Sequence, residues 1–162
     1  PAPIGILNAS GTNVIAAGTN GAAPSWEQIV AMETAIYSAN ADADRMGYII
    51  NAATKGKLKT TKHSAGDLNY LMSMAGEING YRAGISNLLP NDLTKGTGTN
   101  LNAAIFGDFS ELLMGQWGFY DLTVDKTSKK KAGMIEITVN QFLDVLVKQP
   151  KAFSVIKDWD LA

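Results

Sequence analysis

The sequence predicts an α+β protein in which a mixed sheet with flanking helices is joined to one long β-hairpin. Three patterns predict this. A helical periodicity follows a capping sequence at Ser25, short apolar runs recur at Tyr48, Tyr81, Ala103 and Phe153, and apolar and polar residues alternate from Met134 to Val147. The composition supports a packed core. Of the 162 residues 46% are hydrophobic and 18% charged, and a chain of about 150 residues buries roughly two thirds of its unfolded surface.

Residues 1–24 hold Gly5, Gly11, Gly18, Gly21 and Pro24 around the clusters Ile4/Ile6/Leu7 and Val14/Ile15, which predicts extended segments joined by turns. Ser25 and Gln28 have capping-box spacing, and Trp26, Ile29, Val30, Ile36 and Tyr37 recur with a helical period, so a helix is expected from Trp26 to Asn40. Asp42 and Asp44 follow in a polar turn. Tyr48-Ile49-Ile50 has the character of a buried strand, and Asn51 is placed to cap a brief helix over Ala52–Lys59, despite Gly56. Thr60–Gly66 reads as a loop. Leu68–Met74 is apolar without a clear period and fits either a short helix or the floor of a loop. The Asn79-Gly80 turn introduces a strand over Tyr81–Ser86. Pro90–Asn102, rich in Asn, Thr and Gly, reads as surface loop, and Ala103–Gly107 as a strand. Asp108 is then positioned to cap a short helix carrying Phe109, Leu112, Leu113 and Met114, with Gly115 at its end.

From Met134 to Val147 the odd positions are Ile135, Ile137, Val139, Gln141, Leu143, Val145 and Val147, apolar in all but Gln141, while the even ones include Glu136, Thr138, Asn140 and Asp144 with the pair Phe142/Leu146. This predicts one strand with a buried face. It would extend roughly 45 Å, whereas a spherical domain of this length is about 40 Å across, so an elongated molecule is expected unless a bulge near Gln141 bends the strand. Phe119–Asp125 pairs with it through the turn Lys126–Gly133. Pro150 breaks the strand before a last apolar run, Phe153-Ser-Val-Ile156.

Lys and Arg number 14 against 15 Asp and Glu, a net charge of −1, which gives no global basis for binding DNA or anionic lipid. Any partner is recognised by shape. With no Cys there is neither a disulfide framework nor thiol chemistry. No apolar run is long enough to span a bilayer, and the start, Pro1-Ala-Pro-Ile4, lacks the layout of a signal peptide. A start without Met in a Pro- and Gly-rich stretch reads as a processed or truncated piece. His63, the one histidine, falls in a polar loop and reads as solvated rather than catalytic. Asn40-Ala-Asp42-Ala-Asp44 imitates the opening of a calcium loop, but Arg45 and Asn51 stand where that loop needs Gly and a bidentate Glu. Asp108 and Glu111 have the spacing of a helix first turn as much as of an acid–base pair. Gly18-Thr-Asn-Gly21 and Gly96-Thr-Gly98 match neither a P-loop nor a dinucleotide fingerprint. Lys126, Lys129, Lys130 and Lys131 read as a solvated hairpin tip or subunit contact, and Trp26, Trp117 and Trp159 as packing anchors. No catalytic, cofactor-binding or metal-binding residue is assigned.

The stretch Gly107-Asp-Phe-Ser-Glu-Leu-Leu-Met-Gly-Gln-Trp-Gly118, the hairpin after it, and Gln149-Pro-Lys-Ala-Phe-Ser-Val-Ile-Lys-Asp158 resemble the C-terminal part of a tailed-phage major capsid protein of the Hong Kong ninety-seven fold. Pro3-Ile-Gly-Ile-Leu-Asn8, Ile50-Asn-Ala-Ala-Thr-Lys-Gly-Lys-Leu-Lys59 and Gly80-Tyr-Arg-Ala-Gly-Ile-Ser-Asn87 resemble the same family in the same order, covering virtually the whole chain. The resemblance implies a non-enzymatic protein without cofactors that assembles with copies of itself into pentamers and hexamers of an icosahedral phage or prophage head enclosing double-stranded DNA. Scaffold, portal or decoration proteins are implied as further partners, with the virion as location. It implies an extended segment over 1–24, an axial-type lobe over 25–116 and 150–162, and the hairpin of a peripheral-type lobe over 117–149. The family's N-terminal arm, extended loop and long peripheral helix would precede Pro1, and Ala52 replaces the Pro that often follows the capping Asn. The tips at Thr60–Gly66, Pro90–Asn102 and Lys126–Lys131 are the expected contact loops. Two other readings stand beside this one: an encapsulin-like bacterial compartment shell, and a small α+β ligand-binding module using a cleft beside Asp108.

Overall fold

The structure is a computed structural model and describes residues 4–41 and 45–162. The polar turn and calcium-loop likeness at Asp42 and Asp44 lie outside the described residues, as does Pro3. In chain order the elements are β1 (Asn13–Val14), α1 (Trp26–Ser38), β2 (Met46–Ile50), α2 (Ala52–Thr60), β3 (Glu77–Ile78), β4 (Tyr81–Ile85), β5 (Leu93–Lys95), β6 (Gly98–Asp108), β7 (Leu112–Asp125), β8 (Glu136–Val147) and β9 (Phe153–Trp159). Single 3₁₀ turns stand at Ile6–Asn8, Phe109–Glu111, Lys130–Ala132 and Pro150–Ala152.

Seven strands form a mixed sheet in the order β1-β9-β6-β2-β4-β3, with β5 paired to β6. β1 runs parallel to β9 and β2 parallel to β4; the β2–β6, β6–β9, β3–β4 and β5–β6 pairs are antiparallel. β6 is buried continuously from Leu101 to Asp108, and β9 nearly so, so both faces of the sheet centre are covered. β2 instead buries alternate residues, Met46, Tyr48 and Ile50.

Both helices start where side chains satisfy their first amides. The Ser25 hydroxyl accepts from the Gln28 amide, and Gln28 Oε1 accepts from the Ser25 amide, a complete capping box. α1 then turns Ile29, Met32 and Ile36 into the core, where the Ser154 hydroxyl donates to the Met32 carbonyl at 2.8 Å. At α2 the Asn51 carboxamide accepts from the Thr54 amide at 2.7 Å and donates to Asn102 Oδ1 at 2.6 Å, so one buried side chain caps the helix and fixes it to β6. Phe106 centres an aromatic cluster, stacked on Tyr48 at 4.3 Å and edge-on to Tyr81 at 5.0 Å.

Two expectations are corrected and one open choice is settled. The stretch Pro90–Asn102 is not loop throughout: β5 and the first turns of β6 form a hairpin there, with Gly96 at φ 59°. Its partner is the N-terminal segment. Asn20 Oδ1 accepts from the Thr97 amide, and a Cβ at Gly98 would collide with the Asn20 carbonyl. The helix expected from Asp108 to Met114 is a single 3₁₀ turn, Phe109–Glu111, and Leu112 already pairs with Val147, so residues 112–116, placed ahead of the hairpin by the sequence, belong to its ladder. Spacing of Phe109, Leu112 and Leu113 imitates a helix, but strand pairing across 35 residues prevails locally. Finally, Leu68–Met74 is the floor of a loop and no helix, with Leu71 and Met72 buried and Leu68 and Met74 exposed.

β7 and β8 form a separate two-stranded sheet of roughly 40 Å. Its ladder shifts between Trp117 and Asp121, so Gly118, Phe119 and Tyr120 bulge on β7 opposite Gln141. The bulge expected near Gln141 therefore lies on the partner strand, and β8 itself runs unbroken from Glu136 to Val147. The face expected to be buried is not: Ile135, Ile137, Val139 and Leu143 are each about half exposed or more, and of β8 only Val147 is buried. The hairpin packs on the lobe only at its base, through Leu112 and Val147, with Ile4, Ala9 and Ser10 bordering a groove beside Asp144–Val147.

Candidate assembly surface

The groups with chemical potential are engaged in packing. His63 lies in a loop as expected but is only partly exposed: its ring stacks on Trp26 at 4.0 Å and 15° and its amide donates to the Asn69 carbonyl. Both rings line an open groove together with Leu71 and Met72. Asp108 accepts from the Ser110 amide at 2.9 Å and from the Ser110 hydroxyl at 2.7 Å, which is capping of the 3₁₀ turn, while Glu111 faces Lys148 at 3.4 Å. The expected first-turn reading fits; no acid–base pair is assembled. Among the described residues no group of three His, Cys, Asp or Glu is placed to hold a metal ion, and no helix is long and apolar enough to cross a membrane.

Among the described residues Asp158 is the one buried carboxylate with a cationic partner. It receives the Ala17 amide at 3.0 Å, the Gly18 amide at 3.4 Å and Lys95 Nζ at 2.6 Å, which fastens the N-terminal segment and the β5–β6 tip to β9. The two glycine-rich stretches thus pack on each other, a structural role with no anion site. Trp159 is fully buried and donates to Gln28 Oε1 at 2.7 Å, as expected of an anchor. Trp117 differs from that expectation: it is 83% exposed.

The unusual surface is the hairpin. Along β8 the odd positions share one face, joined across the ladder by Leu112, Met114, Leu122 and Val124 of β7. This face is apolar end to end apart from Gln116 and Gln141. On the opposite face the distal half is polar, pairing Asp121 with Asn140, Thr123 with Thr138 and Asp125 with Glu136, but the base carries Leu113, Trp117, Phe142 and Leu146. The tip is basic. Lys129 pairs with Glu136 at 2.9 Å, whereas Lys126, Lys130 and Lys131 are exposed and have no ion pair among the described residues. Asp125 organises the turn by accepting from Thr127 and Ser128, and these bonds hold its carboxyl well below the usual carboxylate range. Even-position Phe142 and Leu146 were visible in the sequence; that Leu113 and Trp117 join them was hidden by the helical reading of 108–114.

The hairpin thus exposes one nearly continuous apolar face and, at its base, a second apolar patch, an extent of exposed apolar surface that marks an interaction site. The model of the phage capsid family matches residues 2–158. The chain belongs to the phage capsid family. It is 33% identical over 132 residues to the major capsid protein of Halomonas phage phiHAP-1, covering 82% of this chain and 20% of that one. Among solved structures, the capsid of an empty GTA particle superposes with a TM-score of 0.66 at 19% identity, covering 98% of this chain and 57% of that one. A Gordonia phage Cozz chain gives 0.64 at 18% identity, covering 97% and 52%. The fold is therefore the Hong Kong ninety-seven type expected from the resemblance, and the chain spans a fifth of the length of the curated relative and a little over half that of these structures.

Proposed function

We propose that this capsid-family chain is a non-enzymatic building block of a major capsid protein, assembling with copies of itself into pentamers and hexamers of an icosahedral phage or prophage head around double-stranded DNA. Residues 25–116 and 150–162 would form an axial-type lobe at the fivefold and sixfold positions, residues 1–24 an extended strap along it, and residues 117–149 the arm toward neighbouring subunits. Scaffold, portal or decoration proteins are candidates for further contacts, and the virion is the expected location.

The observation that carries this reading is the hairpin: about 40 Å of ribbon with apolar side chains on one face throughout, exposed beside a lobe that is otherwise well packed. A monomer gains nothing from such a face, whereas a closed shell covers it many times over, and modest contacts accumulate around the surface. The tips at Thr60–Gly66 and Pro90–Asn102 and the Lys126–Lys131 turn are the expected contact points. The test is electron microscopy of the full-length product with and without a shortened Lys126–Lys131 turn. Closed particles are expected from the parent and none from the shortened variant at unchanged melting temperature; equal loss of particles and of stability counts against the assignment.

A further inference from the structure

The apolar base of the hairpin's even face is distinct from its odd face, because one element laid along the odd face does not cover it; beside Asp144 and Leu146 it is bordered by Ile4, Ala9 and Ser10 of the N-terminal segment. Leu113, Trp117, Phe142 and Leu146 are 51%, 83%, 72% and 63% exposed there. In their midst stands Asp144. Its cross-strand partner is Gly115, so no side chain faces it across the ladder, and its carboxylate accepts from the Val145 amide at 2.8 Å. No cation pairs with it among the described residues. A carboxylate framed by large apolar groups is complementary to a cation flanked by an apolar side chain.

This chain carries such a surface at its own tip, where the unpaired Lys130 and Lys131 adjoin Ala132 and the 57% exposed Met134. The tip cannot reach its own Asp144. The ladder from Trp117–Phe142 to Asp125–Glu136 holds the two apart by roughly 20–25 Å. We infer that the basic tip of one copy seats on the even-face patch of a second copy, with a lysine of the Lys130–Lys131 pair at Asp144 and Met134 against Trp117 and Phe142.

This rests on the shell reading and gives one of its contacts a donor and a receptor. Tip and patch are different surfaces, so the contact closes either as a reciprocal twofold pair or, head to tail, as a ring or a shell. Two aromatic and two leucine side chains offer on the order of 500 Å² per copy, below the roughly 800 Å² of a stable pairwise interface, so the contact is weak singly and effective only in multiples.

The absence of cysteine makes a disulfide trap clean. Mixing Lys131→Cys with Asp144→Cys under mild oxidation is expected to give mixed disulfide dimers well above either like pair. In sedimentation of the full chain, Asp144→Lys alone and Lys130→Glu/Lys131→Glu alone are each expected to weaken self-association about tenfold, and an equal mixture of the two to restore it, since each then offers the charge the other lacks. Like-pair disulfides alone, or self-association untouched by both reversals, overturn this inference and leave the shell reading standing. No self-association of the parent chain at any soluble concentration overturns both. Short duplex DNA is the remaining probe: retention by the parent that is lost in Lys130→Glu/Lys131→Glu, with association unchanged, assigns the tip to nucleic acid and overturns the proposal.

Discussion

Tyr48 and Asp158 show how single buried groups set the stability of the lobe. The Tyr48 hydroxyl is buried without a hydrogen-bond partner, and burial, followed by the charges of Glu33 and Tyr81, drives its pKa far above the usual phenol. Tyr81, whose hydroxyl donates to Glu33 at 2.8 Å, is raised in the same direction by burial first and by the Tyr37 and Glu33 contacts next. A raised folded-state pKa leaves its stability intact below the unfolded phenol pKa of about 10 and removes it as pH rises beyond. These two phenols are therefore expected to leave the unfolding free energy unchanged up to about pH 9.5, and above the unfolded phenol pKa Tyr48 alone makes it fall with a slope approaching about 1.4 kcal/mol per pH unit. Tyr48→Phe keeps the stack on Phe106, deletes an unsatisfied hydroxyl, and should be as stable as the parent at neutral pH with a shallower alkaline fall in urea titrations. Asp158 acts oppositely, because three donors converge on it. Asp158→Ala is expected to cost about 2–3 kcal/mol, and Lys95→Met less because Lys95 is partly exposed, read from denaturant midpoints. Neither role is legible from sequence, since Tyr48 reads simply as apolar strand and Lys95 lies in a stretch that reads as loop.

At the scale of elements, what was legible was what is local. Ser25 with Gln28 and Asn51 ahead of Ala52 are caps whose chemistry is complete within one turn, and both stand where the residue types demand. The β2 and β9 runs and the alternation of β8 were legible for the same reason. The β5–β6 hairpin was not. Its Gly and Asn residues have little intrinsic strand preference, and it is held by Asn20 and Asp158, residues far away in the sequence. The misread helix at 108–114 has the same origin: its strand state depends on a partner at Asp144–Val147. Asn51 joins the two kinds of information, because its oxygen serves the local cap and its amide nitrogen serves Asn102 on β6. Asn51→Ala should thus cost more than Ser25→Ala, about 2–3 against about 1 kcal/mol, with the excess cancelled in an Asn102→Ala background; a double-mutant cycle by urea unfolding measures that coupling.

For the whole molecule, folding and assembly are separable because they use different residues. Among the buried hydrophobic residues only Val147 comes from β7 or β8. The exposed Trp117, Phe119, Phe142 and the odd face of β8 short of Val147 contribute nothing to the lobe's interior, yet the alternation they create is as strong as that of any core strand. That is why the sequence correctly predicts a strand and wrongly predicts that the chain buries its face: periodicity reports that a face will be covered, never by what. The separation can be tested by excision. The Leu112–Val147 pair and the Lys148 amide bonded to the Glu111 carbonyl at 2.9 Å close the base of the hairpin. Joining Leu113 to Leu146 through Asn-Gly therefore keeps the base closed and removes everything beyond it. The trimmed chain is expected to retain its helical and sheet circular dichroism and to melt within a few degrees of the parent. Its denaturant slope should fall in proportion to the surface removed, and its self-association should vanish. If trimming instead unfolds the lobe, the ribbon is part of the core and the division of labour between fold and assembly does not hold.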